Sequence, residues 1–337
     1  YITSDITELY TDAVGIGLAI NPDPYTLTIK PYTGVQPVIT FNYPTDLNSG
    51  PSGAFIIGIP GKGNVAWASL KTTKNIVIDG SNTVGGTTRD LTLQSATTAQ
   101  RNAIPLVIVG DVSNVTVKNC NIYYKVQTVS TSGNLLVGAV LVRSTNQLSA
   151  DWVPKNLTFD NNHISSNFAG VAQAIEGFGF YQSGTPVPAT FPSNITIKNN
   201  IIEGNRRAIG LYQVGSTDIF NNEIITNQRI GAAIANEGIY AVAVSAGSVT
   251  NIYNNKFTKL STLSTGAAYG ITAISIESNG TYNVYNNMIT GFELTAVNPS
   301  AYLTGIKNSS ATDTLNCYNN TIFMNDIADI GTGTVVY

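Results

Sequence analysis

Charge is what this chain of 337 residues has least of. Asp, Glu, Lys and Arg together make up 11% of it, against about 25% in an average soluble domain. With 17 Lys and Arg, a net charge of −3 and no basic run, it lacks the electrostatic footprint of a nucleic-acid binder. No apolar run approaches the roughly 18 residues that span a bilayer as a helix, so no membrane insertion is expected. Histidine occurs once, as His163, and cysteine twice, as Cys120 and Cys317. No zinc spacing, phosphate-cradling loop or nucleophile elbow is present. The acidic residues are too scattered to make a calcium cluster. No metal and no cofactor is therefore expected. Nor does the scarcity of charge signal disorder, since disordered chains are rich in charge and poor in aromatics, whereas this one carries 17 Tyr and 11 Phe. Asn, Thr, Ser, Gly and Tyr fill the polar positions. A neutral surface of hydrogen-bonding groups suits sugars or neighbouring proteins better than phosphate.

What the chain does have is a repeat. NIVIDGS (75–81), NVTVKNC (114–120), NLTFDNN (156–162) and NITIKNN (194–200) are followed by STDIFNN (216–222), VTNIYNN (249–255), TYNVYNN (281–287) and TLNCYNN (314–320). The markers Gly80, Asn119, Asn161, Asn199, Asn221, Asn254, Asn286 and Asn319 lie 22 to 42 residues apart. That range is one minimal coil with or without a loop insertion. Within each segment β-branched residues alternate with polar ones, as in a strand with one buried face. Val115, Val117, Ile195, Ile197, Ile252 and Val284 fall on the inward parity. An antiparallel sandwich needs hairpin turns at short intervals and does not explain one motif returning in the same phase eight times. In a parallel stack each strand pairs with its equivalent one coil later. Asn suits the corner because it tolerates the left-handed backbone, and stacked amides can hydrogen-bond from coil to coil. Asn75, Asn114, Asn156 and Asn194 form a second Asn file. A second strand file precedes the turn: GFGFY (177–181), AIGLY (208–212), GIYAV (238–242), GITAI (270–274) and GIKNS (305–309).

The fold expected over residues 75 to 322 is thus all-β, a right-handed parallel β-helix or solenoid with Asn-ladder turns. The pattern resembles the right-handed parallel β-helix family, the pectate-lyase-like superfamily in its broad sense. The nearest likeness is to repeat modules of large bacterial secreted or cell-surface proteins. VIDGSNTVGGTTRDLTL (77–93) looks like the opening of the helix in such proteins. Residues 1–60 read as an N-terminal cap and first coils, and 61–337 as the β-helix, continuous with the first part as a single domain. Asp5-Ile6-Thr7-Glu8 is expected to cap a short helix. YTLTIKPY (25–32) and PVITFNY (37–43) read as strands. The chain opens on Tyr1 with no signal peptide, as in a processed mature form or a fragment. GTGTVVY (331–337) reads as a strand without a cap, so more chain or a partner is expected beyond it. Cys120 and Cys317 fall six rungs apart. At about 4.8 Å per rung that is about 29 Å, too far for a disulfide. Both read as small buried residues.

Aligning the coils gives two side-chain files that could carry chemistry. The position before the turn runs Asp79, Lys118, Asp160, Lys198, Phe220, Tyr253, Tyr285, Tyr318. Its aromatic half, Phe220 to Tyr318, is a candidate platform for sugar rings. The bland alternative is a stabilising ladder of cross-strand pairs. The second file, Glu176, Arg207, Glu237, then Tyr269 and Thr304, sets an arginine between two carboxylates. It is a candidate polysaccharide-cleaving site, or else a salt-bridge ladder. His163 reads as an ordinary loop position without tuning partners. The Asn-Thr-Asp, Asp-Asp, Gly-His-Gly and Arg-Ile-Lys motifs of the related hydrolases are absent. The Asn-x-Ser/Thr sequons at Asn114, Asn156, Asn194 and Asn319 belong to the repeat itself. Together these features predict a non-catalytic, extracellular or cell-surface structural or adhesive module in contact with polysaccharide or with neighbouring copies or domains of a surface protein. A polysaccharide lyase or glycoside hydrolase is the alternative, and a phage or viral fibre component shares the same fold physics.

Overall fold

The computed structural model describes residues 1–9, 16–42, 53–58, 72–99, 103–126, 137–144, 153–166, 175–182, 191–226, 236–244, 247–262, 270–294, 302–310, 313–324 and 334–336. Among these residues there is no helix. Every strand belongs to one of three sheets of 11, 10 and 9 strands, and every pairing between strands is parallel. Sheet I runs from Ile6–Leu9 to Thr321–Ile322, sheet II from Ile16–Leu18 to Thr334–Val336, and sheet III from Leu27–Ile29 to Thr314–Tyr318. One coil passes through I, II and III, makes the Asn turn and re-enters sheet I one rung on. The crossovers take the right hand that twisted strands impose. The chain is therefore a right-handed parallel β-helix, and its coils begin at Ile6, well before residue 75.

Sheets I and III alternate along their strands. In Lys155–Asp160 the inward Leu157 and Phe159 are buried and their neighbours are half-buried or exposed. Sheet II does not alternate: Ile104–Val109 and Ile271–Ile276 are buried at every position. This is the near-continuous apolar run of a parallel strand covered on both faces. The difference bears on where a ligand could reach, because sheets I and III turn every second residue of strands such as Lys155–Asp160 to solvent. Inside, Phe159 of sheet III meets Phe178 of sheet II edge-on, with ring centroids 4.6 Å apart.

The two residues of each Asn pair do different work. The first, in Asn119, Asn161, Asn199, Asn221, Asn254, Asn286 and Asn319, has φ between 53° and 58°, the left-handed corner. The second, in Asn162, Asn200, Asn222, Asn255, Asn287 and Asn320, turns inward and builds a ladder. Asn222 is typical. Its Nδ2 donates to the Ile197 carbonyl at 2.9 Å and to Asn255 Oδ1 at 3.0 Å, and its Oδ1 accepts from both Asn200 N and Asn200 Nδ2 at 3.0 Å. At the marker position Gly80, an added Cβ would lie 1.9 Å from the Asn119 carbonyl oxygen, so close approach requires glycine there. The following loop lies along the turns, and Arg89 donates to the Asn161 carbonyl at 2.8 Å and to Asn161 Oδ1 at 2.9 Å.

Four further amide files run outside the barrel, and each ends on an aspartate. Asn194 donates to Asn156, Asn156 to Asn114, Asn114 to Asn75, and Asn75 to Asp23. Asn161 donates to Asn119 and Asn119 to Asp79. Asn221 donates to Asn199 and Asn199 to Asp160. Asn316 donates to Asn283, Asn283 to Asn251 and Asn251 to Asp218. An ionised carboxylate only accepts, so it fixes the sense of each file. Asp79 lies below its ordinary pKa: burial raises it, but the bonds from Asn119, Ser81 and Lys118 outweigh that.

Three expectations are corrected. Residues Ile6–Leu9 form a strand paired with Val38–Asn42, and Asp5 Oδ1 accepts from Val38 N at 2.8 Å instead of capping a helix. Four residues cannot offset helix nucleation, whereas the strand finds a ready partner edge. Cys120 is buried as expected, but Cys317 is exposed. It sits on the inward parity of the last sheet III strand among the described residues, where no described coil covers it. Thr272 takes the rung assigned to Tyr269, because Glu237 pairs with Thr272 and Thr272 with Thr304. Tyr269 lies outside the described residues.

Candidate functional site

The register puts the eight residues before the turn on consecutive rungs of sheet III. The file divides sharply. In its first half Lys118 reaches Asp79 at 3.2 Å and Lys198 reaches Asp160 at 3.3 Å. In its second half Phe220, Tyr253, Tyr285 and Tyr318 stack with centroids 4.8, 4.9 and 5.0 Å apart and ring planes within 9°. Aromatic side chains on consecutive rungs in one register lie parallel here. Their faces are then turned to one another. Tyr318, on the last described rung of sheet III, is 49% exposed. With their faces turned to one another, the rings offer edges and hydroxyls to a ligand. Burial, then the adjacent phenol and Asp218, raises the pKa of Tyr253 and of Tyr285. Two residues back along the same strands, on the same face, runs the file Asp218, Asn251, Asn283, Asn316.

The second candidate file is brought into register as expected: Glu176 pairs with Arg207 and Arg207 with Glu237. It does not form an open cleft. Arg207 is 3% and Glu237 6% exposed. Arg207 Nε donates to Glu237 Oε2, and the guanidinium lies 3.6 Å over the Tyr240 ring and 5.4 Å from that of Tyr212. Tyr240 donates to Glu277 at 2.9 Å, and Glu277 accepts from Lys307 at 3.1 Å. Burial pushes the Glu237 carboxyl up, with Arg207 and Arg206 opposing it. A planar guanidinium held between rings and a carboxylate is the geometry of a structural anchor.

His163 is where the sequence reading missed most. It stands on the outer face of sheet I, where Asn121 and Ile201 are its rung neighbours. Its Nε2 is 2.7 Å from Glu203 Oε1 and its Nδ1 3.0 Å from the Tyr123 hydroxyl. Tyr123 also reaches Asn121 Oδ1 at 3.2 Å, and Ser165 donates to Glu203 Oε2 at 3.2 Å. Burial, then the Glu203 charge, raises the Tyr123 phenol pKa, while Arg89 lowers it. The side chains of His163 and Glu203 are 27% and 16% exposed. The partners come from coils about 40 residues away in sequence, Tyr123 on one side and Glu203 on the other. The signal that could have found them is the outward parity of all three on sheet I. Among the described residues no group of three or more His, Cys, Asp or Glu is placed to hold a metal ion.

No family model and no curated protein sequence matches the chain. Solved structures do match. PfbA, a surface adhesin of Streptococcus pneumoniae, is 12% identical with a TM-score of 0.40, over 99% of this chain and 83% of that one. The A-module of the Azotobacter vinelandii mannuronan C-5 epimerase AlgE4 is 12% identical with a TM-score of 0.29, over 96% and 91%. Endopolygalacturonase I from Stereum purpureum is 14% identical with a TM-score of 0.25, over 94% and 95%. This is a parallel β-helix repeat protein. The three parallel sheets establish that by themselves, and superpositions this loose add no argument about activity.

One pH dependence follows from the buried phenols. Burial, with the Glu277 hydrogen bond, pushes Tyr240 up to about 12, and burial pushes Tyr282 up to about 12. A phenol raised above its unfolded value of about 10 stabilises the fold below that pH, and the contribution is lost as pH rises through the folded value. Ultraviolet titration should therefore show phenols ionising late. Unfolding measured over the same range should show stability falling from about pH 10 to about pH 12. Ionisation of every tyrosine near pH 10 without loss of structure would contradict this placement.

Proposed function

We propose that the protein is a rigid extracellular structural or adhesive module whose binding task is contact with carbohydrate. The observation that carries this reading is how its polar side chains are used. Among the described residues internal amides, external amides and stacked rings repeat from coil to coil, so most polar groups tie rungs together along the axis. The low charge and the neutral half of sheet III suit a hydroxyl-rich partner. The test is to present the protein with a panel of neutral and acidic polysaccharides and to follow retention and cleavage together. Retention with no new reducing or unsaturated ends is expected. Turnover of any of them would overturn the non-catalytic reading.

A second reading, a polysaccharide lyase or glycoside hydrolase, is favoured by one observation, the Tyr123–His163–Glu203 relay. Acid–base chemistry needs a proton carrier held by a partner within hydrogen-bond reach, and His163 is so held. That reading requires cleavage that His163→Gln abolishes while the fold is kept. Cleavage untouched by the substitution, or none at all, removes it.

A further inference from the structure

Resting on the carbohydrate reading above, we propose that the neutral half of the sheet III face is a binding track for one extended neutral polysaccharide chain lying along the helix axis. The track has two columns over four rungs, Asp218, Asn251, Asn283, Asn316 and Phe220, Tyr253, Tyr285, Tyr318.

The argument starts from hydrogen-bond capacity. An amide has two N–H groups and a carbonyl with two lone pairs. Along this file each asparagine spends one N–H on the rung below, at 2.6, 2.7 and 2.8 Å, and the oxygens of Asn251 and Asn283 each accept one bond from the rung above. Each amide keeps a donor and an acceptor that the file does not use. The hydroxyls of Tyr253, Tyr285 and Tyr318 have no protein partner among the described residues. The result is a strip on which donors and acceptors recur every 4.8 to 5.0 Å, the spacing of the stacked rings.

Charge then selects the ligand. The two columns contain no Lys or Arg and a single carboxylate, Asp218, whose Oδ1 already accepts from Asn251. A polyanion finds no cation on the strip and is repelled at one end, and a polycation finds only one acid. A neutral chain rich in hydroxyls matches the whole length. The ring faces are taken up by stacking, so recognition is edge-on through hydroxyls and amides. Periodicity selects further. In an extended β-1,4-linked glucan or mannan one sugar advances by about one rung and each is turned over relative to the last, so every second sugar presents the same edge to equivalent groups two rungs apart. A pure stability ladder has no need of the abrupt change of composition at Phe220, because the Asp–Lys alternation of the first half already solves the stacking problem with ion pairs.

The test is calorimetric titration of the full chain with β-1,4-gluco- and manno-oligosaccharides of two to six sugars, with oligogalacturonate as the charged comparison. Affinity should climb with length from two to four sugars. Asn283→Asp and Tyr318→Lys should each weaken binding by about tenfold or more. Thr116→Asp, three rungs from Asp218 on the charged half of the same face, should leave it unchanged. Tyr318→Lys alters a side chain that is 49% exposed, so it reads the track even where Asn283→Asp fails to fold. Binding of neutral oligosaccharides that neither track variant moves, or tighter binding of oligogalacturonate, would overturn the track while leaving the carbohydrate reading standing. No binding of any glycan to the unaltered chain would remove both.

Discussion

Replacing Asn222 by alanine should cost about 3–5 kcal/mol of stability, since each buried polar group stripped of its partner costs about 1–3 kcal/mol. The substitution removes the acceptor of the Asn200 backbone N–H and the side-chain donor to the Ile197 carbonyl, both in the dry interior. It also removes the side-chain contacts to Asn200 and Asn255. Water cannot substitute, because Asn222 is 1% exposed. Equilibrium unfolding in urea measures the loss. Asn222→Asp should be similarly damaging, because a carboxylate accepts from Asn200 but cannot donate to Ile197. Asn221→Gly, one residue earlier, should be mild, since Asn221 is an exposed left-handed corner with φ 56° and glycine enters that region freely. If Asn222→Ala and Asn221→Gly cost the same, the internal ladder is not the spine of the stack.

Arg207→Ala should be comparably severe, at about 3–5 kcal/mol, because it leaves the Glu237 carboxylate buried without its countercharge. The double substitution Arg207→Met with Glu237→Leu should restore most of that loss, since apolar residues of similar volume can replace a buried pair at little net cost. Thermal and urea unfolding of the three proteins compare them directly. A double variant as unstable as the single one would show that the cation over Tyr240, rather than the pair, holds this part of sheet II together.

These two cases also mark what the sequence could and could not disclose. The inward Val117, Ile197 and Ile252 and the file from Asp79 to Tyr318 were legible because a parallel stack sets like upon like, so one register explains many residues at once. The roles within each Asn pair were not, since both residues are asparagine and only the backbone tells corner from ladder. The Glu176–Arg207–Glu237 file was legible as a register, but the burial of Arg207 and Glu237 was not, because strands covered on both faces lose the alternation that reports which side meets water. Thr272 was misassigned because GITAI (270–274) carries the same Gly-Ile opening as GIYAV and GIKNS, but three residues ahead of the equivalent rung. The partners of His163 were hidden for a related reason. Contacts between coils join residues about 40 apart, and loop lengths that vary from coil to coil blur that distance.

The aspartates that end the external amide files have a consequence for the molecule as a whole. Each file donates towards the N-terminal end of the stack, from Asn316 down to Asp218 and from Asn194 down to Asp23. The internal ladder donates the other way, from Asn162 up to Asn320. Aligned amides polarise one another, and a long one-way row would build an electric dipole along the axis. Here the inner and outer rows run in opposite senses, so their contributions to such a dipole oppose one another as coils are added. The four carboxylates act as one-way valves that keep the outer rows in that sense.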